Sequence, residues 1–177
     1  MVGAGSSRAR IVLSPDEGET VWLGRLGVRF MIDGKQTGET VALVEHPMKP
    51  RVLAAPMHTH QHEDEYTYVL EGEVGVQVGD EVRVARPGDL IFKPRHVPHA
   101  FWNAGDTPAR ALEIISPAGF ERYFAEIATL LPPAQEGSPD EQALGAIIEK
   151  YGLEMYTSSV PLLVERHGLV TGEPPPA

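Results

Sequence analysis

The chain contains no cysteine. Disulfide cross-links and thiolate metal sites are both excluded, so a tightly held metal has to use histidine, aspartate or glutamate. Positive charge is scarce: 15 Lys and Arg stand against 25 Asp and Glu, for a formal net charge of −10. Such a surface repels phosphate backbones and anionic headgroups, so neither nucleic acid nor a membrane is an expected partner. No apolar run approaches the ~20 residues that span a bilayer, and the opening MVGAGSSRARIVLS lacks the apolar core of a signal peptide. These absences predict a cytoplasmic protein. No repeat of solenoid period is present.

What remains is ordinary for one globular domain: 177 residues, 42% hydrophobic and 23% charged. From Arg10 to about Ile115, short apolar or alternating runs are cut by Gly, Pro and Asp, the pattern of consecutive strands and tight turns. The expected strands are Arg10–Leu13, Thr20–Leu23, Val28–Ile32, Thr40–His46, Tyr66–Leu70, Val74–Val78, Val82–Ala85, Leu90–Lys93, His99–Asn103 and Arg110–Ile115. Turns at Val78-Gly79-Asp80-Glu81 and Arg86-Pro87-Gly88-Asp89 make neighbours antiparallel, which argues for an all-β sandwich or barrel.

After Ser116 the period changes. Phe120, Tyr123, Phe124, Ile127 and Leu131 share one helical face, and a second helix runs from a capping box at Ser138-Pro139-Asp140-Glu141 to about Tyr151. The expected organisation is a flexible start over 1–9, a barrel over 10–116, two helices outside it over 117–152 and an extended tail over 153–177.

Five of the seven histidines lie between His58 and His99. Residues i and i+2 of a strand point to one face, so His58 and His60 present two imidazoles to one point. Glu65 has the opposite parity and joins them only if the chain turns between, which the polar Gln61-His62-Glu63-Asp64 suggests. His99 alternates with Phe101 and Asn103 and faces inward in the same way. Three imidazoles and a carboxylate suit one divalent transition metal, such as iron, manganese, cobalt, nickel, copper or zinc.

The other candidates have plainer readings. A lone barrel histidine is more often structural than a ligand. His62 and His96 are read as loop residues, with His62 an alternative partner for His60, and His46 and His167 as exposed or capping residues. Glu63 and Asp64 are read as solvated, since three consecutive acids cannot converge on one ion. Phe92, Phe101 and Trp102 are either core or the wall of an aromatic pocket. Phe101 shares the face of His99, whereas Trp102 points away. Tyr66, Tyr68 and Leu70 form an outward apolar face that a homodimer would cover.

The segments PMHTHQHEDEYTYVLEG and PGDLIFKPRHVPHAFWN resemble the two signature motifs of the cupin superfamily. His58, His60, Glu65 and Gly72 fall on the first, whose leading Gly is missing near Val52 and Leu53; Gly88, Pro94, His99 and Asn103 fall on the second, where His96 replaces a turn Gly. The resemblance implies a double-stranded β-helix (jelly-roll) barrel with two C-terminal α-helices. The helical tail is similar to that of single-domain quercetin-dioxygenase-like cupins. In that group the metal binds substrate and dioxygen, and the residue matching Glu65 also takes the substrate proton. The implied function is a metal-dependent dioxygenase for a small enolic or flavonol-like phenolic substrate. A non-redox isomerase or lyase, and a binding module without turnover, stay open because cupins serve many chemistries.

Overall fold

The computed structural model describes residues 12–131 and 140–171. Its elements run β1 (Thr20–Leu23), β2 (Leu26–Ile32), α1 (Gly34–Thr37), β3 (Ala42–Met48), β4 (Leu53–His60), β5 (Asp64–Glu71), β6 (Val74–Val78), β7 (Glu81–Ala85), β8 (Leu90–Lys93), β9 (His99–Asn103), β10 (Ala109–Ser116), α2 (Glu121–Leu130), α3 (Glu141–Lys150), β11 (Leu153–Tyr156) and α4 (Ser159–His167). Two antiparallel sheets face one another, ordered β1-β2-β3-β10-β5-β8 and β11-β4-β9-β6-β7. This is the expected jelly roll with a few helices, and no helix among the described residues is long and apolar enough to cross a membrane.

Strand parity builds the interior. Val69 on β5, Val74 and Val76 on β6, Phe101 on β9 and Ala111 on β10 point inward and form one buried cluster. Removing these side chains from water drives closure, at about 25 cal/mol per Å² of apolar surface. Gly72 turns β5 into β6 at φ 73, and a Cβ there would lie 2.8 Å from the Ala109 backbone, so only glycine fits.

β4 was not among the expected strands, because Ala54, Ala55 and Pro56 are poor strand formers. It forms through its neighbours, with two register shifts against β9 that bring His58 opposite His99. The expected Arg10–Leu13 strand lies partly outside the described residues, and Val12 and Leu13 carry no strand. The flexible start over 1–9 lies wholly outside them.

The carboxy-terminal part differs from expectation in three ways. First, Asp140 caps α3 by accepting from the backbone N–H groups of Gln142 and Ala143, while Ser138 lies outside the described residues. Second, 153–171 is not an extended tail: β11 pairs with β4, and α4 follows and closes on Gly168 in the left-handed conformation. Pro161 obscured α4 in the sequence, yet in a helix's first turn proline removes no needed hydrogen bond. Third, α2 does not lie outside the barrel. Phe120, Tyr123, Phe124 and Ile127 are buried against Val28, Ala42, Val44 and Ile115 and close the barrel mouth.

Candidate metal centre

His58 and His60 end β4, Glu65 begins β5 and His99 begins β9, and all four are buried. One ligand atom from each lies within 4.8 Å of the others. The turn needed to bring Glu65 inward is present: β4 stops at His60 and β5 starts at Asp64, with Glu65 paired between Lys93 and Ile115.

Two of the three imidazoles are held in one tautomer. Nδ1 of His58 lies 2.8 Å from the Pro56 carbonyl, and Nδ1 of His99 lies 3.0 Å from that of Val97. A carbonyl only accepts, so each Nδ1 carries the proton and each Nε2 keeps a free lone pair. Glu65 Oε2 lies 3.4 Å from His99 Nε2 and 3.6 Å from His60 Nε2. His60 Nε2 and His99 Nε2 are buried without a hydrogen-bond partner among the described residues, and Glu65 Oε2 is met by the Lys93 ammonium at 2.9 Å. Converging lone pairs repel, and a divalent cation is what would make the arrangement favourable. The donor set therefore fits a transition-metal ion.

The electrostatics agree. Burial, then the neighbouring His99 and His60, push His58 well below its ordinary range, and burial likewise lowers His99. Burial alone would raise Glu65, but Lys93, His60 and His99 outweigh it and hold the carboxylate well below its usual range. His58, His99 and Glu65 are thus poised in the protonation states that metal binding would need.

Two residues read from the sequence as solvated, Glu63 and Asp64, have partners in this region. Glu63 is buried, not solvated, with Oε2 3.5 Å from His60 Nδ1. It turns back from the β4–β5 connection onto the ligand, as carboxylates beside metal-bound histidines do. Replacing Glu63 with Gln is expected to weaken metal affinity about 10- to 100-fold, read by competition with a chelator. Asp64 forms a two-point pair with Arg95, at 2.9 and 3.1 Å.

Lys93 and Glu113 were not singled out, although each is a charged residue on the inward register of an apolar strand. Lys93 Nζ lies 2.9 Å from Glu65 Oε2 and donates to Glu113 Oε2 at 3.0 Å, and the Thr67 hydroxyl donates to Glu113 at 2.8 Å. Burial works against the lysine charge, but Glu113 and Glu65 outweigh it and hold Lys93 above its ordinary range. One ammonium cannot neutralise two buried carboxylates, and Glu113 is the one that gives: burial pushes it up to about 7.

His46 is also a correction. It is 1% exposed, its Nδ1 donates to the Gly27 carbonyl at 3.1 Å, and its ring stands between Phe101 and Phe124. Burial lowers it from 6.5 to about 4. The folded chain therefore binds fewer protons than the unfolded chain below 6.5, and this contribution to stability is lost as pH falls from 6.5 to about 4. At pH 5 the loss is about 2 kcal/mol. Urea titrations at pH 7 and pH 5 should show a stability drop smaller by about that amount in His46→Phe than in the wild type.

The remaining histidines are peripheral. His62 is an exposed loop residue. His96 adopts φ 65 where the motif has glycine, so the left-handed turn survives the substitution. His167 stacks on Trp102, which packs outward against Leu163 of α4. Phe92 is 50% exposed and Phe101 faces inward, as parity predicts.

Above the centre lies a cavity of about 610 Å³. His46, His58, Glu65 and Glu113 supply its polar floor, while Phe101, Phe120, Tyr123, Phe124, Leu144 and Met155 are among its apolar walls. Phe120 sets its ring edge-on to His60, 4.3 Å between centroids.

Residues 45–115 match the family model described as the cupin domain. The chain is 32% identical over 112 residues to the tetracenomycin polyketide synthase protein TcmJ of Streptomyces glaucescens, spanning 63% of this chain and 74% of that protein. It is 28% identical over 95 residues to the polyketide synthase CurC of Streptomyces cyaneus, covering 54% of this chain and 60% of that protein. Among solved structures, KdgF from Halomonas sp. shares the fold at a TM-score of 0.56 and 17% identity, over 62% of this chain and 96% of that one. The chain belongs to the cupin family.

Proposed function

We propose that this cupin is a metal-dependent enzyme acting on an apolar, polycyclic aromatic molecule of polyketide type that carries an enol or phenol. The observation that carries the reading is the cavity: about 610 Å³, largely apolar in its lining, with His46, His58, Glu65 and Glu113 as its polar floor. That volume suits a ligand of several rings, and such a wall orients it with its oxygens toward the metal centre. The kinship to TcmJ and CurC supports the polyketide class.

His58, His60, Glu65 and His99 would hold the ion. When bound, it supplies Lewis acidity toward an enol oxygen and, if redox-active, a path for electrons to dioxygen. Proton handling falls to the two floor carboxylates. Glu65 stands among the ligands as base, and Glu113, near 7, exchanges a proton close to neutral pH. Lys93 fixes both, while Phe120 and the α2 aromatics keep water from the floor.

An enolate allows two chemistries, non-redox ring closure or isomerisation with the ion as Lewis acid, and oxygenation, for which the donor set also accepts redox-active ions. The test uses quercetin with the metal-loaded protein, under nitrogen and in air. Consumption under nitrogen as in air, without oxygen uptake, supports the non-redox reading, whereas binding without consumption in either would overturn turnover of this molecule. Consumption with oxygen uptake would replace the non-redox reading by the dioxygenase, and no binding would overturn the substrate class. The outward face of β5 and β8 leaves Tyr68, Leu90 and Phe92 exposed at 40%, 60% and 50%, and a second copy of the chain is the proposed cover.

A further inference from the structure

Of the four polar residues on the cavity floor, His46 is in neither the metal cluster nor the Lys93–Glu113 pair. It comes from β3, on the sheet opposite β4 and β9. Its Nδ1 is committed as donor to the Gly27 carbonyl, so its Nε2 is an acceptor. That Nε2 has no hydrogen-bond partner among the described residues, and it is not one of the sealed, unpartnered polar atoms of the interior. It is open to the cavity that the ring lines. Phe101 and Phe124 flank the ring, at 5.7 and 5.4 Å between centroids, and leave it the polar interruption in an aromatic wall.

We infer that His46 is a specificity-determining residue, whose Nε2 accepts a hydrogen bond from a substrate hydroxyl other than the oxygens that face the metal centre. The inference rests on the substrate class proposed above and adds a requirement to it. The preferred molecule carries a second hydroxyl, and an analogue lacking it leaves a buried acceptor unpaired. The acceptor's geometry carries the assignment: a neutral imidazole pinned by a backbone carbonyl cannot rotate to donate. The lowered proton affinity of His46 supports it, because the ring stays neutral throughout the working range.

Quercetin and 3-hydroxyflavone share the hydroxy-ketone end and differ in the hydroxyls elsewhere, which makes them a suitable pair. Their affinities are measured by fluorescence with zinc-loaded protein under nitrogen, where no oxygen-dependent turnover intervenes. Wild type is expected to favour quercetin by about tenfold, the worth of one hydrogen bond at a buried site. His46→Phe keeps the ring packing and removes the acceptor, and His46→Asn keeps a donor for Gly27 while removing the ring acceptor. Each should bring the ratio close to one, chiefly by weakening quercetin, with zinc content unchanged.

Two variants guard against a misfolded one, which thermal unfolding would reveal. A preference for quercetin that persists in the folded variants overturns the role of His46 and leaves the substrate class standing. Wild type that binds both flavonols equally overturns it too. Wild type that binds neither removes the substrate class and the His46 assignment together.

Discussion

Replacing His60 with alanine is expected to lower metal affinity by more than about 100-fold, beyond the loss of a supporting residue such as Glu63. The fold should survive. His60 is fully buried and ends β4, but its two ring nitrogens make no hydrogen bond among the described residues, so truncation breaks no scaffold contact of that kind. His99→Ala should act alike, although it also releases the Val97 carbonyl. Elemental analysis of the purified variants, with circular dichroism as the fold control, reads both effects. Wild-type metal content in either variant would remove that residue from the ligand set.

The second large effect concerns stability. Lys93 is 1% exposed and lies between two buried carboxylates, with Phe101 beneath its ammonium at 4.7 Å. Lys93→Met removes the one cation and leaves Glu65 and Glu113 uncompensated, at an expected cost of about 3–5 kcal/mol. Adding Glu113→Gln should restore much of this, because the amide still accepts from Thr67 without burying a charge. Urea unfolding of the two variants measures it. Equal stability of the single and double variants would show that the pair is not coupled.

Both predictions depend on how strand parity distributes side chains, and parity is also what made the site legible. His58, His60 and His99 could be assigned to one interior because a period of two is independent of tertiary detail. Glu65 needed one further signal, the polar stretch from Gln61 to Asp64, and the turn is there. The same rule also puts Lys93 on the face of Ile91 and Glu113 on the face of Ala111 and Ile115. What it could not supply was that these charges meet each other, since β5 separates β8 from β10 in the sheet.

His46 was misread for a related reason. A histidine between Glu45 and Pro47 looks exposed until Val44 and Met48, of the same parity, are seen to be buried. Glu63 escaped because a turn, unlike a strand, has no period from which its direction can be read. The segment from 153 onward was invisible for a third reason: β11 exists through pairing with β4, a non-local contact that no short window contains.

The cavity joins two parts of the chain. Its floor residues His46, His58, Glu65 and Glu113 all lie within 45–115, the span that matches the cupin model, whereas Phe120, Tyr123, Phe124, Leu144 and Met155 follow it. The polar floor therefore lies inside that span, while most of the aromatic wall, Phe101 excepted, comes from the stretch after it. On the proposed function, substitutions in the later stretch would retune which ring system is admitted while leaving the floor unchanged, which makes the helices after Ser116 the natural place to graft a new substrate preference onto this barrel.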